Sequence, residues 1–278
     1  MKTILLTGAT SGIGLEAAIT LAKEGHRVVM VGRDEAKTRQ CVADVKQRSG
    51  SANVESLPCD FTSQASIRAL AQAYRAKYDR LDVLVNNAGS VFNERGLTTD
   101  GIENTFAVNH LGSFLLTNLL LDLVIKSAPA RIVLVASTGH YRGTMDLTDL
   151  GFEKGGYSIM GAYGRSKLGN VLMTRALARR LEGKGVTVNA LHPGVVATNI
   201  WGGAPGWAQP ILAALKALFM ITPAQGSKTI TFLATAPEVE GQSGLYFEKN
   251  KVKTPSALAR DEALGEQLWR KSAELVGL

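Results

Sequence analysis

The sequence predicts an α/β chain built on one doubly wound, mainly parallel sheet with helices on both faces, and three observations predict it. Short runs rich in Val, Ile and Leu alternate with longer segments of helical period. The first run leads straight into a glycine-rich turn, and neither a Pro/Gly/Ser linker nor an internal repeat interrupts the alternation. The runs are residues 3–7, 27–31, 54–59, 81–86 and 131–137, with later ones at 186–191 and 244–247. Unbroken apolar character over so few residues suits strands covered on both faces. Between them, 13–24 carries Ile13, Ala17, Ala18 and Leu21 on one helical face and meets a stop at Gly25. Segment 63–78 opens on Ser63, a fitting N-cap, and aligns Ile67, Leu70 and Ala71. Helices are also expected over 101–126 and from 163 to about 182.

With 278 residues the chain can bury a full core, and it reads as one domain, 1–278. Apolar residues at 45% and charged residues at 20% are those of a globule and exclude a disordered chain. No uninterrupted apolar run approaches the roughly 20 residues of a membrane helix. Ile4–Leu6 is too short a stretch for a signal peptide, so no transmembrane segment and a cytoplasmic location are expected. Cys41 and Cys59 form no CxxC pair and no cluster with His, so free thiols and no metal are expected. The net charge of +7 comes without a long basic run. Arg179-Arg180 and the trio Lys249, Lys251 and Lys253 read as solvated surface, not as a nucleic-acid site.

Directly after the first run stands TGATSGIG. Glycine permits a tight turn and a close backbone approach to a pyrophosphate, while the N–H groups and dipole of the next helix stabilise negative charge. Gly8, Thr10, Ser11, Gly12, Ile13 and Gly14 are therefore candidates for a phosphate cradle. Read alone, the loop is equally a tight strand-to-helix turn that needs glycine for its own sake. Its spacing is GxxxGxG.

Further motifs follow in order: NNAG at 86–89, Asn109 in FAVNHLG, Ser137 in VLVASTGH, Tyr163 and Lys167 in YGRSK, and HPGVVAT from His192 to Thr198. Together with the loop they resemble the short-chain dehydrogenase/reductase family, over residues 3 to about 200. Within it, VNHLGSFLLTNLL, SKLGNVLMTRALARRL, LHPGVVATNI and the tail LWRKSAELVGL resemble the retinol-dehydrogenase-like branch. Its membrane-bound members carry an N-terminal hydrophobic anchor, and none is expected here before MKTILLTGAT. The resemblance implies a Rossmann-type fold and a hydride-transferring oxidoreductase acting on a carbonyl or alcohol. It assigns Ser137 to the substrate oxygen, Tyr163 to proton transfer and Lys167 to the nicotinamide ribose, with Asn109 anchoring a water that joins the lysine to solvent. It sets Asn87, Ala88 and Gly89 along the cofactor ribose, Asp60 at the adenine, Phe61 elsewhere along the cofactor, and Pro193, Val196 and Thr198 at the carboxamide end.

The end of the second run, VVMVGRD, bears on cofactor choice. Asp34 has the spacing of an acid that accepts from a ribose 2′-hydroxyl, which favours NAD. In the resembled family, however, the discriminating acid stands where this chain has Gly32, and Arg33 resembles the arginine that meets a 2′-phosphate. A guanidinium suits phosphate in charge and fork geometry, and Lys37 stands one turn on, so NADP(H) is expected, with Asp34 a helix N-cap.

Tyr163 and Lys167 are four apart on a helix and share a face. A lysine cation about 5 Å from the phenol, at an effective dielectric of about 20, favours phenolate by about 3 kcal/mol. That is a little over ~2 pKa units, enough to bring tyrosine toward working range. Ser166 is expected to be a bystander of this pair. His140 and His192 read as structural, with His140 a candidate wall of the pocket. Residues 199–222, broken by Pro205 and Pro210 and with apolar residues at helical spacing from Ile211, read as a lid for a lipophilic substrate, as an ordinary packed helix or as a surface that touches a membrane. The stretch 139–162 either shapes the pocket or covers a surface that relatives use to associate, so a homodimer stays open. Two other functions compete: a reductase of carrier-bound β-ketoacyl groups, and an NADP-sensing or scaffold protein without turnover.

Overall fold

The structure is a computed structural model and describes residues 1–195 and 221–278. β1(Thr3–Thr7), β2(Arg27–Gly32), β3(Val54–Pro58), β4(Val83–Asn86), β5(Ala130–Val135), β6(Val186–His192) and β7(Tyr246–Glu248) run parallel in one sheet. β8(Lys251–Lys253) adds an antiparallel edge, and the spatial order is β3-β2-β1-β4-β5-β6-β7-β8. Every apolar run picked out in the sequence overlaps a strand. The one strand not foreseen, β8, is short and fully exposed. It is reached through a turn in which Lys249 and Asn250 both have positive φ, the geometry that folds a two-residue hairpin back with the right twist. Lys251 and Lys253 on this open edge discourage pairing with another chain.

Successive strand residues face opposite sides, and each side has its own core. Ile4, Leu6, Val28 and Met30 pack under α1(Gly12–Lys23), α2(Glu35–Ser49) and α6(Pro223–Thr235). Leu5, Val29, Val31 and Leu84 pack under α3(Gln64–Lys77), α4(Asn104–Lys126), α5(Ile159–Arg180) and α7(Glu262–Val276). Burial on both faces is the physical reason that the strands read as unbroken apolar runs. Caps set the helix starts. Asp34 accepts the N–H of Lys37 at the head of α2, and Ser63 accepts that of Ser66 at the head of α3. The helix expected from residue 101 begins at Asn104, because the buried Glu103 carboxylate accepts the N–H groups of Thr105 and Phe106, each at 2.8 Å.

Among the described residues α4 is long and apolar enough to cross a membrane, but most of its apolar window is buried inside the fold, as befits a core helix. Its first part departs from α geometry: Ala107–Leu111 forms a π turn. A π turn inserts one residue and shifts the side-chain register, and here it turns the consecutive residues Asn109 and His110 both inward.

Candidate active site

In an open α/β sheet the ligand crevice lies at the carboxyl ends of the strands, where the strand order reverses. Here that point is between β1 and β4. The loop after β1 and the NNAG segment after β4 meet there and are tied together. The Asn87 amide donates to the carbonyls of Thr7 (2.9 Å) and Gly8 (3.0 Å), and the Thr7 hydroxyl accepts the N–H groups of Asn87 and Ala88, both at 2.9 Å. Gly8 has φ +64°, and a Cβ on it would stand 2.8 Å from the Ala88 Cα. A Cβ on Gly14 would overlap the Gly8 carbonyl and the Asn87 amide. The loop is thus as close to its neighbours as backbone allows. Ser11, the N-cap of α1, makes no side-chain cap bond, so the first N–H groups of the helix remain available to an anion. This cradle fits a dinucleotide pyrophosphate.

β5 delivers Ser137, and α5 brings Tyr163 and Lys167 to it. The Ser137 hydroxyl hydrogen-bonds the Tyr163 phenol and accepts the N–H of Gly139 at 3.1 Å. The ring lies so close to Gly139 that a Cβ there would be 3.2 Å from Tyr163 Cδ1. Lys167 Nζ stands 5.6 Å from the centre of the Tyr163 ring and donates to the Val135 carbonyl at 2.9 Å. Asn109 lies across from them. Its Oδ1 accepts the Ser90 N–H at 2.7 Å, and its Nδ2 donates to the Ser90 carbonyl (2.9 Å) and to Ser166 Oγ (3.1 Å). Ser166 is therefore no bystander. Its hydroxyl, buried completely, donates to the Tyr163 carbonyl at 2.8 Å and supports the Asn109 amide. Ser166 points away from the Tyr163–Lys167 face, and the π turn of α4 packs against the side it occupies.

The electrostatics also correct the sequence argument. Burial pushes the Tyr163 phenol up, with the hydrogen bond from Ser137 pulling the other way. Burial likewise pushes the Lys167 ammonium down, to about 8. A lysine–tyrosine attraction in a uniform dielectric leaves out the hydration that both charged forms lose, and here desolvation dominates.

The remaining candidates divide. Arg33 and Lys37 are exposed beyond the end of β2. A Cβ at Gly32 would stand 2.5 Å from Thr10 Cγ2 and would overlap the Thr38 hydroxyl, so no acidic side chain fits there. Asp60 is not a helix cap, since Ser63 takes that role. Its Oδ1 instead accepts the N–H (2.9 Å) and hydroxyl (2.8 Å) of Thr62. The Phe61 ring is buried against Gly112 and Ile67. His140 donates from Nδ1 to the Ser137 carbonyl (2.7 Å) and accepts the Ser256 N–H at Nε2 (3.2 Å). His192 Nδ1 accepts the Thr138 N–H at 3.4 Å, so both histidines support backbone beside the site. Pro193 follows β6, and Ile221 N–H donates to the Val195 carbonyl at 2.9 Å. Val196, Thr198 and the lid expected over 199–222 lie outside the described residues, apart from its last two positions. No group of His, Cys, Asp and Glu suited to a metal occurs among the described residues.

Three further buried polar residues at the site, His110, Asn170 and Arg165, are not among those singled out in the sequence. Arg165, inside YGRSK, is buried, donates to the carbonyls of Thr144, Asp149 and Leu150, and stacks on Phe152 at 3.7 Å, anchoring the long loop before α5. A charged residue inside a helix of mostly buried side chains was the available signal.

A family model described as short chain dehydrogenase matches residues 2–208. Human retinol dehydrogenase 13 is 41% identical over all of this chain and 85% of its own length. A crystal structure of a Mycobacterium paratuberculosis protein superposes with a TM-score of 0.81 at 30% identity, covering 100% of this chain and 94% of that one. A Shigella flexneri structure, described as a short chain dehydrogenase complexed with NADP, superposes with a TM-score of 0.69 at 25% identity, covering 90% and 97%.

Proposed function

Because the chain belongs to the short-chain dehydrogenase family, we propose that it transfers a hydride between NADP(H) and a carbonyl or alcohol substrate, with Tyr163 as the proton donor and acceptor. The observation that carries this reading is the convergence of Ser137, Tyr163 and Lys167 beside the glycine cradle at the switch point of the sheet. When bound, the nicotinamide supplies or takes up the hydride. Ser137 and Tyr163 share a hydrogen bond and can both reach one substrate oxygen, Ser137 to orient it and Tyr163 to give or take its proton. Lys167 uses one N–H on Val135 and keeps two for the ribose and for the electrostatics of the phenol. An incoming charge or hydrogen bond that favours phenolate has to offset the burial that holds Tyr163 up, which puts the working tyrosine in the complete complex.

NADP(H) over NAD(H) is supported by the exposed Arg33 and Lys37 and by the absence of room for an acid at Gly32. A lipophilic aldehyde, ketone or alcohol as substrate is supported by the retinol dehydrogenase relatives and by two exposed apolar side chains at this edge of the sheet. These are Val195 after β6 and Met160 in the first turn of α5. The test follows absorbance at 340 nm with NADPH and NADH across hydrophobic aldehydes and ketones, including retinal. Native protein is expected to oxidise NADPH, and Tyr163→Phe to lose turnover by about 10²–10⁴-fold while binding NADPH normally. Tight NADPH binding with no turnover in either direction would favour a sensor instead.

A further inference from the structure

The buried residues His110 and Asn170 have no part in the reading above, yet they join its two halves. Ser272 of α7, His110 of the π turn and Asn170 of α5 form one chain of hydrogen bonds. His110 Nε2 lies 3.1 Å from Ser272 Oγ, and His110 Nδ1 lies 3.2 Å from Asn170 Oδ1. Asn170 Nδ2 reaches the carbonyls of Asn109 (3.0 Å) and Val135 (3.4 Å).

The donors can be assigned. Two carbonyls can only accept, so the Asn170 NH₂ faces them and its Oδ1 must accept from His110. Nδ1 of His110 therefore carries the proton, and Nε2 accepts from the Ser272 hydroxyl. A neutral imidazole with one donor and one acceptor satisfies every partner, whereas a second proton, though the Ser272 hydroxyl could turn to accept it, would place a charge in a fully buried site. Burial agrees, since it holds this histidine down to about 4.

The chain ends at the site. The Val135 carbonyl, which takes a bond from Asn170, is also the carbonyl that holds Lys167 Nζ. Asn109, whose carbonyl takes the other, sits on the π turn that His110 anchors. The ring of His110 packs near Phe106 and Phe114, and a Cβ at residue 169 would stand 2.9 Å from its Nδ1, so Gly169 gives it room. A π turn is weaker than an α turn and persists where such contacts over-determine it.

We propose that His110 and Asn170 are positioning residues for Lys167 and Asn109, braced from the C-terminal helix by Ser272. The inference rests on the proposed hydride transfer for its kinetic readout, but cofactor binding reads it independently. Two variants test it. Asn170→Leu keeps the volume and removes the bonds to Asn109, Val135 and His110, and Ser272→Ala removes only the remote brace. With NADPH titrated by fluorescence and turnover measured on the substrate that the native protein reduces best, Asn170→Leu should weaken NADPH binding and lower kcat, each by about tenfold or more, with the carbonyl KM within about threefold. Ser272→Ala should move the same quantities in the same direction by about twofold to fivefold. A role in stability alone would lower Tm and leave kcat and NADPH affinity native, and that result in both variants overturns the proposal. Should Asn170→Leu fail to fold, native values in Ser272→Ala overturn it alone. If the native protein binds NADPH but turns nothing over, the hydride-transfer reading fails while the NADPH titration still decides this one.

Discussion

The glycine loop after β1 and the helix pair behind Lys167 are built on opposite principles. At the loop and at the end of β2 beside it, side chains are missing where space is needed: Gly8, Gly14 and Gly32 each touch a neighbour that a Cβ would strike. At the contact between the π turn and α5, side chains are present and polar. Asn109, His110, Ser166, Lys167 and Asn170 are all buried, and every one has a partner on another element. One region offers backbone to the proposed cofactor and leaves no room for an added atom. The other holds its reacting groups with hydrogen bonds, where removing one partner strands a buried polar group at about 1–3 kcal/mol.

The contrast can be broken most sharply at Gly14. Gly14→Ala should reduce NADPH affinity by about a hundredfold or abolish it, with a stability loss of about 1–3 kcal/mol from the overlap with Gly8 and Asn87; fluorescence titration and urea unfolding check both. Unchanged affinity would show that the loop has room after all. Next in size, Arg33→Ala should weaken NADPH by about ten- to a hundredfold and leave NADH nearly unaffected, the difference expected of charge-assisted bonds to a 2′-phosphate. Equal losses for both cofactors would remove Arg33 from that role.

The polar region should show itself in acid. His110 is held at about 4 in the fold against an ordinary 6.5. Between these values only the unfolded chain takes the proton, so stability is complete above pH 6.5 and falls as pH drops toward 4. The urea midpoint should decline over that window more steeply in the native protein than in His110→Gln, and parallel curves would contradict it. The smallest effect is a control on the glycine argument. Gly25 has φ +85° but nothing within 4 Å of a Cβ, so Gly25→Ala should cost about 1 kcal/mol of backbone strain and leave NADPH binding intact.

The same contrast explains what could be read from the chain. Glycine spacing, apolar runs and the order of NNAG, Ser137 and YGRSK are local patterns, and the strands and the cluster of Ser137, Tyr163 and Lys167 appear where these patterns put them. Asn87 facing Gly8 required only that β4 lie beside β1. Ser166, Asn170 and His110 were misread or passed over because nothing local distinguishes a buried polar residue with a partner from a solvated one. Their partners lie 57, 60 and 162 residues away in sequence.

By itself the sequence determined a parallel sheet covered on both faces, the position of the glycine loop and the side chains proposed to react, because each depends on residues adjacent in the chain or repeated at one period. Only the tertiary structure decided that Tyr163 is held up and Lys167 down, that Gly32 excludes an acid, and that the π turn sets Asn109 and His110 side by side facing α5. Desolvation, steric contact and hydrogen-bond satisfaction are properties of what surrounds a group in space, and the elements that surround these groups come from the whole length of the chain.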